Sequence, residues 1–436
     1  MPRDAGACRT RLSGARRRGQ GVDLRMIPSI RRPSLVVIGN GMAGMRTVEE
    51  LLAVAPHLYD ITVFGAEPYG NYNRILLSPV LAGEKTLADI MIHPRAWYDE
   101  HGIALHAGDP VVAIDRGRCI VRARSGLEVR YDRLLLATGS SPFMLPVPGS
   151  DLPGVVSFRD IADVEAMLCV ARSPRRRAVV IGGGLLGLEA ANGLLRQGME
   201  VTVVHLGDNL LDRQLDAPAA ALLKQALEAR GLHFMLGMNT TALLGEGHVH
   251  AVQFSNGQQI PADLVVMAAG VRPNIALAQA AHLHCERGIV VDDTLQTYDP
   301  RIYAVGECVQ HRAATFGLVA PLWEQARVCA THLAGAGHRR YVQRATATKL
   351  KVTGIDLYSV GDFIGGPDSE DLMMRDPGRG IYKRLVLRQQ RLVGAVLYGD
   401  VADGAWYADL IRDGVEVAAW RHRLLFGRLF CEAQAA

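Results

Sequence analysis

A strand, a glycine-rich turn and a helix follow one another twice in this chain, and no other feature restricts the fold as strongly. The first copy runs from Ser34-Leu-Val-Val-Ile38 into Gly39-Asn-Gly41-Met-Ala-Gly44 and then into a helical stretch over Met45 to Val54. Gly39 permits the tight turn, Gly41 lets backbone amides approach a pyrophosphate, and Gly44 lets the helix pack on the strand with its positive end toward the phosphates. A second strand, Asp60-Ile-Thr-Val-Phe64, leads to Glu67, 23 residues past Gly44, where a carboxylate is placed to take ribose hydroxyls. The arrangement recurs as Ala178-Val-Val-Ile181, Gly182-Gly-Gly184-Leu-Leu-Gly187, a helix from Leu188 to Arg196 and a strand Glu200-Val-Thr-Val-Val204. Each copy is followed by short alternating strands and then a buried strand ending in glycine, Asp132 to Gly139 and Asp263 to Gly270, both seven steps long. One such fingerprint also suits plain α/β packing; two with matching downstream strands specify two dinucleotide folds.

Composition narrows the class. The 436 residues are 49% apolar and 21% charged with 46 glycines, a globular balance with material for two to four domains. The net charge is +4, yet residues 1 to 32 alone hold nine arginines against Asp4 and Asp23, so the remaining chain is about −3. A basic nucleic-acid surface on the folded body is therefore not expected. Residues 1 to 29 carry no periodicity and are expected to form a disordered tail. The seven cysteines are scattered with no CxxC, which argues for a reducing compartment and against a disulfide framework or a metal site. No apolar run reaches the roughly 18 residues that span a bilayer. A cytoplasmic protein without membrane contact is expected.

The two fingerprints, Ala137-Thr138-Gly139 and Thr297-Tyr-Asp-Pro-Arg-Ile302-Tyr303-Ala304-Val-Gly306-Glu307 together resemble the flavoprotein reductases of the rubredoxin and ferredoxin reductase type. Tyr72-Asn73-Arg74-Ile-Leu-Leu-Ser78, Gly184-Leu-Leu-Gly187-Leu-Glu189, Arg213-Gln-Leu-Asp216 and Phe316-Gly-Leu-Val-Ala-Pro321 look most like the flavin-containing amino-terminal half of the assimilatory nitrite reductase large subunit, and like the electron-transfer subunit of assimilatory nitrate reductase. The resemblance implies an α/β fold of two Rossmann-like domains with a smaller α+β domain after them. On that pattern residues 30–148 and 272–338 form the FAD domain, 149–271 the inserted NAD(P) domain, and 339–436 the C-terminal domain. Strands are expected in the last at Lys349 to Val352, Asp356 to Val360, Tyr382 to Leu387 and Leu392 to Leu397.

The resemblance also assigns residues. Gly39, Gly41, Ala43, Gly44 and Glu67 would cradle the FAD pyrophosphate and ribose, with Arg74 adding charge, Ala137, Thr138 and Gly139 passing close by, and Gly306 and Glu307 meeting the ribityl chain. A helix opening at Pro321 would aim its amino end at the flavin, with Trp323 beside it. Gly182, Gly184, Leu186, Gly187 and Gly270 would hold NADH or NADPH, and Glu189 would sit beside the nicotinamide as the catalytic residue. Glu189 has apolar neighbours, so its carboxylate needs a partner such as the carboxamide. His205 stands at the strand end where an NAD-selective fold carries an acid, and no Arg follows before Arg213. The missing clamp favours NADH over NADPH, although the ribose acid is missing too.

Absent features choose among activities. Residues 42 to 118 contain no Cys, where disulfide reductases of this architecture carry theirs, so thiol chemistry is not expected. The resembled nitrite reductase subunit continues into iron–sulfur and sirohaem modules, whereas this sequence shows no clustered Cys and is not expected to reduce nitrite by itself. The expected activity is an FAD-dependent NAD(P)H:acceptor oxidoreductase handing electrons to a separate protein: an iron–sulfur protein, a rubredoxin, or a nitrate or nitrite reductase subunit. An NAD(P)H oxidase or diaphorase and a non-enzymatic flavin sensor are the alternatives, and a homodimer is allowed. Lys349, Lys351, Lys383 and Arg384 are the expected basic face for an acidic carrier.

Overall fold

The computed structural model describes residues 31–174, 176–343, 347–352 and 354–432. The expected tail over 1–29 lies outside them. Two five-stranded parallel sheets repeat one strand order, as the duplicated pattern requires. In the first, Ser34–Ile38 is central, Asp60–Gly65 and Ala104–Ala107 lie on one side, and Arg133–Leu136 and Ile302–Ala304 lie on the other. In the second, Arg177–Ile181 is central, flanked by Glu200–Val204 and His233–Met235 on one side and by Leu264–Met267 and Val155–Ser157 on the other. The central strands are buried along nearly their whole length, which is why they read as unbroken apolar runs and not as alternations.

The outer strand distinguishes the copies. Ile302–Ala304 comes back to the first sheet from beyond the second fold, whereas Val155–Ser157 enters the second sheet from before it. A two-stranded ribbon, Ser140–Pro142 antiparallel to Val271–Pro273, carries the chain out and back.

The turn glycines are held by sterics. Gly39 has φ +117° and Gly182 has φ +130°, values that side-chain-bearing residues rarely adopt. A Cβ on Gly39 would lie 2.1 Å from the Ala137 carbonyl oxygen, and one on Gly182 would lie 2.3 Å from that of Ala268. Helices then run over Met42–Val54 and Leu185–Arg196, each starting three residues before the apolar stretch that announced it. Gly44 and Gly187 let those helices close on the turn, since a Cβ on either would strike the first turn glycine's carbonyl oxygen.

The third unit is an antiparallel sheet in the order Thr348–Val352, Ile355–Gly361, Arg391–Tyr398, Ile381–Arg388, Glu370–Asp376, backed by the Gly404–Asp413 helix. The four expected strands are present. The edge strand Glu370–Asp376 was not anticipated, because exposed Glu370, Asp371 and Met373 break its alternation. Both faces of this sheet are covered: Tyr382, Val396 and Tyr398 join the core of the second fold, while Leu385, Leu387 and Leu397 pack with Tyr407 and Leu410 of the helix. Lys383 is consequently 3% exposed, with Nζ 2.7 Å from Asp400. Arg384 bonds Asp371 and, across the unit boundary, Asp216, which also accepts from the Tyr382 hydroxyl. These two residues are tied inward and do not form the expected basic face; the side chains of Lys349 and Lys351 lie outside the described residues. Among the described residues, no helix is long and apolar enough to cross a membrane.

Candidate functional site

Parallel strands end at the same edge of each sheet, so both glycine turns open at the same kind of edge. Here the two edges face one continuous cleft of about 2410 Å³, well beyond the roughly 300–1,000 Å³ of a pocket for one small ligand. Gly41 and Gly184 line it as helix caps with φ −85° and −83°, which any residue tolerates. A Cβ on either would meet nothing within 4 Å. Neither conformation nor packing demands glycine at these positions. The bare backbone is left open toward the cleft, as a dinucleotide pyrophosphate requires, so the residues present fit such groups.

Around the first turn, Glu67 lies just past the Asp60–Gly65 strand with both oxygens engaged. Arg74 Nη2 donates to Oε1 at 2.7 Å and the Tyr72 hydroxyl donates to Oε2 at 2.7 Å. Burial raises the Tyr72 pKa, keeping that phenol a donor. Arg74 Nη1 also donates to the Arg159 carbonyl at 2.9 Å, joining the first fold to the second. Ala43, Ala137, Thr138, Gly139, Gly306 and Glu307 all line this half. Glu307 accepts from Ser140 Oγ at 2.8 Å and pairs with the Arg159 guanidinium, both partners being largely buried. Arg159 Nε is buried without an acceptor. Sequence reasoning missed Arg159. Its only local sign is a position just before the capped helix Ile161–Ala171, and its partner is 148 residues away.

In the second half, Gly182, Gly184, Leu186, His205 and Gly270 line the cleft, and Glu189 projects from the Leu185–Arg196 helix between the two turns. Burial pushes the Glu189 carboxyl up to about 7, with the nearby Ser78 hydroxyl of the Leu77–Leu81 helix acting against the rise. His205 Nδ1 accepts the Gly183 N–H at 3.2 Å.

Three of the anticipated residues stand off the cleft. Gly44 and Gly187 act behind it, in helix packing. Trp323 does not line it either: the helix begins at Val319, so Leu318, Val319 and Leu322 face the cleft while the Trp323 ring lies 5.7 Å from the Arg46 guanidinium. Starting the helix at Pro321 rotated the expected face by two residues. Among the described residues no cysteine lines the cleft; Cys308 and Cys329 are fully buried, and burial raises their thiol pKa values. Among the described residues no group of three or more His, Cys, Asp or Glu gathers as metal ligands.

Known proteins share this arrangement. The C-terminal unit matches the family described as rubredoxin NAD+ reductase C-terminal domain over residues 347–415. A Bacillus subtilis NAD(P)H nitrite reductase is 46% identical over 387 residues, covering 89% of this chain and 48% of that protein. The assimilatory nitrate reductase electron transfer subunit of the same organism is 44% identical over 374 residues, covering 86% and 48%. The chain thus spans about half the length of these curated relatives. The structure of a covalent putidaredoxin reductase–putidaredoxin complex superposes with a TM-score of 0.82 at 26% identity, over 93% of this chain and 100% of that one. Residues 33–332, which contain both glycine turns and the cleft between them, match the family described as pyridine nucleotide-disulphide oxidoreductase, and the chain belongs to that family.

Proposed function

We propose that this protein is an FAD-dependent oxidoreductase that takes hydride from NADH or NADPH and passes electrons to a separate redox protein. The observation that carries this reading is the single cleft joining two glycine cradles, with Glu189 between them. Residues 33–148 and 272–338 would hold FAD and residues 149–271 the nicotinamide nucleotide. FAD, when bound, supplies acceptance of a hydride and release of electrons one at a time.

The chain's own residues do the positioning. Gly41 admits the FAD pyrophosphate to backbone amides at the helix start, and Glu67, oriented by Arg74 and Tyr72, meets the ribose. Glu307 and Arg159 form a largely buried charged pair farther along the same half, giving the ribityl side both an acceptor and a donor. Gly184 admits the second pyrophosphate. Glu189 holds the nicotinamide carboxamide so that the two rings meet at reacting distance.

Relatives named nitrite reductase and nitrate reductase electron transfer subunit support an acceptor in nitrate or nitrite assimilation; an iron–sulfur protein or rubredoxin fits the same chemistry. The six described cysteines are all free, which supports a cytoplasmic setting. The test is to purify the yellow protein, bleach it with NADH or NADPH without oxygen, and then offer oxygen, an iron–sulfur carrier or a nitrate reductase catalytic subunit. Reoxidation faster by protein carriers than by oxygen supports the reading. Fastest reoxidation by oxygen would make the protein an oxidase, and inability of folded protein to bind flavin would end the proposal.

A further inference from the structure

The first glycine turn is held from behind by a closed ring of hydrogen bonds. Asn40, between Gly39 and Gly41, lines the cleft, whereas Asn71 and Tyr98 stand behind it and are 1% and 0% exposed. Asn71 lies in the short Asn71–Tyr72 strand and Tyr98 in the Arg95–Glu100 helix, 31 and 58 residues along the chain from Asn40. The Asn71 side-chain amide donates to the Asn40 carbonyl at 3.0 Å, and the Asn71 backbone N–H donates to the Tyr98 hydroxyl at 3.1 Å. That hydroxyl donates in turn to Asn40 Oδ1 at 2.7 Å, and Asn40 Nδ2 donates to the Tyr69 carbonyl at 3.2 Å. Burial pushes the Tyr98 pKa up to about 12, so the phenol keeps the proton it donates. Reversing either asparagine side chain would set its oxygen against a carbonyl oxygen, so the ring closes in one sense only.

The ring fixes a peptide plane that local sterics leave loose. Glycine on both sides of Asn40 gives the backbone wide freedom, and the Asn40–Gly41 plane needs a hold from outside the turn. The bond is trans, so the Asn40 carbonyl and the Gly41 N–H point in opposite directions. With the carbonyl pinned to Asn71 behind the cleft, the Gly41 N–H is turned to the cleft side. We propose that Asn71, seconded by Tyr98, is a positioning residue that presets the Gly41 amide as a donor to the FAD pyrophosphate. This rests on the reading of the first turn as the FAD cradle. A donor oriented before the ligand arrives costs no ordering on binding. Without Asn71 the Asn40 carbonyl is free to rotate and bring an oxygen toward the phosphate oxygens, which repel it.

Flavin-loaded protein and its Asn71→Ala and Tyr98→Phe variants are diluted, and FAD release is followed by the rise in free-flavin fluorescence. Asn71→Ala should release FAD about tenfold faster, the size of one lost hydrogen bond to a charged group. Tyr98→Phe, one bond farther from the turn, should release it about threefold faster. Phosphorus NMR of the bound flavin separates positioning from general loosening: the pyrophosphate resonances should move in both variants while the visible flavin spectrum stays that of the parent. Release as slow as the parent's, or faster release with unmoved pyrophosphate resonances, overturns the inference. Tyr98→Phe keeps its ring in the core and reads the same two quantities should Asn71→Ala fail to fold. Failure of the parent protein to bind FAD overturns instead the reading of the first turn.

Discussion

The two dinucleotide folds share a strand order and a turn geometry but treat the end of their second strand in opposite ways. In the first fold a glutamate, Glu67, is present and both its oxygens are held by Arg74 and Tyr72. In the second the equivalent place carries His205, a donor, and the nearby carboxylate is Asp212 from farther along the loop. On the proposed reading, a carboxylate braced by a half-buried arginine and a buried tyrosine suits a cofactor that stays, and a looser set suits one that comes and goes. The duplicated pattern dictates the turn, whereas the residues around each turn set how long a ligand remains.

The strongest way to break this comparison is to fill each cradle. Gly41→Val should abolish flavin retention, seen as loss of the yellow colour with circular dichroism unchanged, because the added side chain meets only open space in the fold itself. Gly184→Val should keep the flavin and lower the rate of its reduction by NADH about a hundredfold or more. A yellow Gly41→Val protein would sink the assignment of the first fold, and unslowed reduction in Gly184→Val that of the second.

Glu189 sharpens the comparison from the middle of the cleft. Glu189→Ala should slow flavin reduction in stopped flow by about ten- to a hundredfold with the fold intact. Burial raises this carboxyl from 4.5 to about 7, so its folded form prefers the proton. The associated stability is fully present below the ordinary value of 4.5 and is lost as pH rises toward and through about 7. Nucleotide-free Glu189→Gln should therefore gain thermal stability relative to the parent between pH 5 and pH 8. A constant difference in melting temperature across that range would show that the carboxyl titrates normally.

A smaller effect is expected at the brace of the first fold. Arg74→Ala should weaken flavin affinity about tenfold by releasing Glu67 and the Arg159 carbonyl. Fluorescence titration of the flavin-free protein measures it, and unchanged affinity would make the brace purely structural. The smallest effect belongs to the thiols. Changing Cys285, whose thiol burial pushes up to about 11, or exposed Cys169 to Ser should leave turnover within about twofold, since no described cysteine lines the cleft and the protonated Cys285 thiol is a poor nucleophile. A large loss of activity in well-folded protein would reinstate thiol chemistry.

Much of this molecule was legible from residues alone. Gly39 and Gly182 at positive φ, the helix-packing Gly44 and Gly187, and the buried central strands are local steric demands, and each leaves a mark within about ten residues of chain. What only the tertiary structure decided are the partners, Arg159 for Glu307 and Asp216 for Arg384. Such pairs join residues from different elements, and no periodicity records which side chain will arrive opposite another. Lys383 and Arg384 make the same point from the other direction. The sequence offers them as basic side chains for an acidic carrier, yet this sheet is covered on both sides, and charges so enclosed are stable only when paired, as Lys383 is with Asp400 and Arg384 with Asp216 and Asp371.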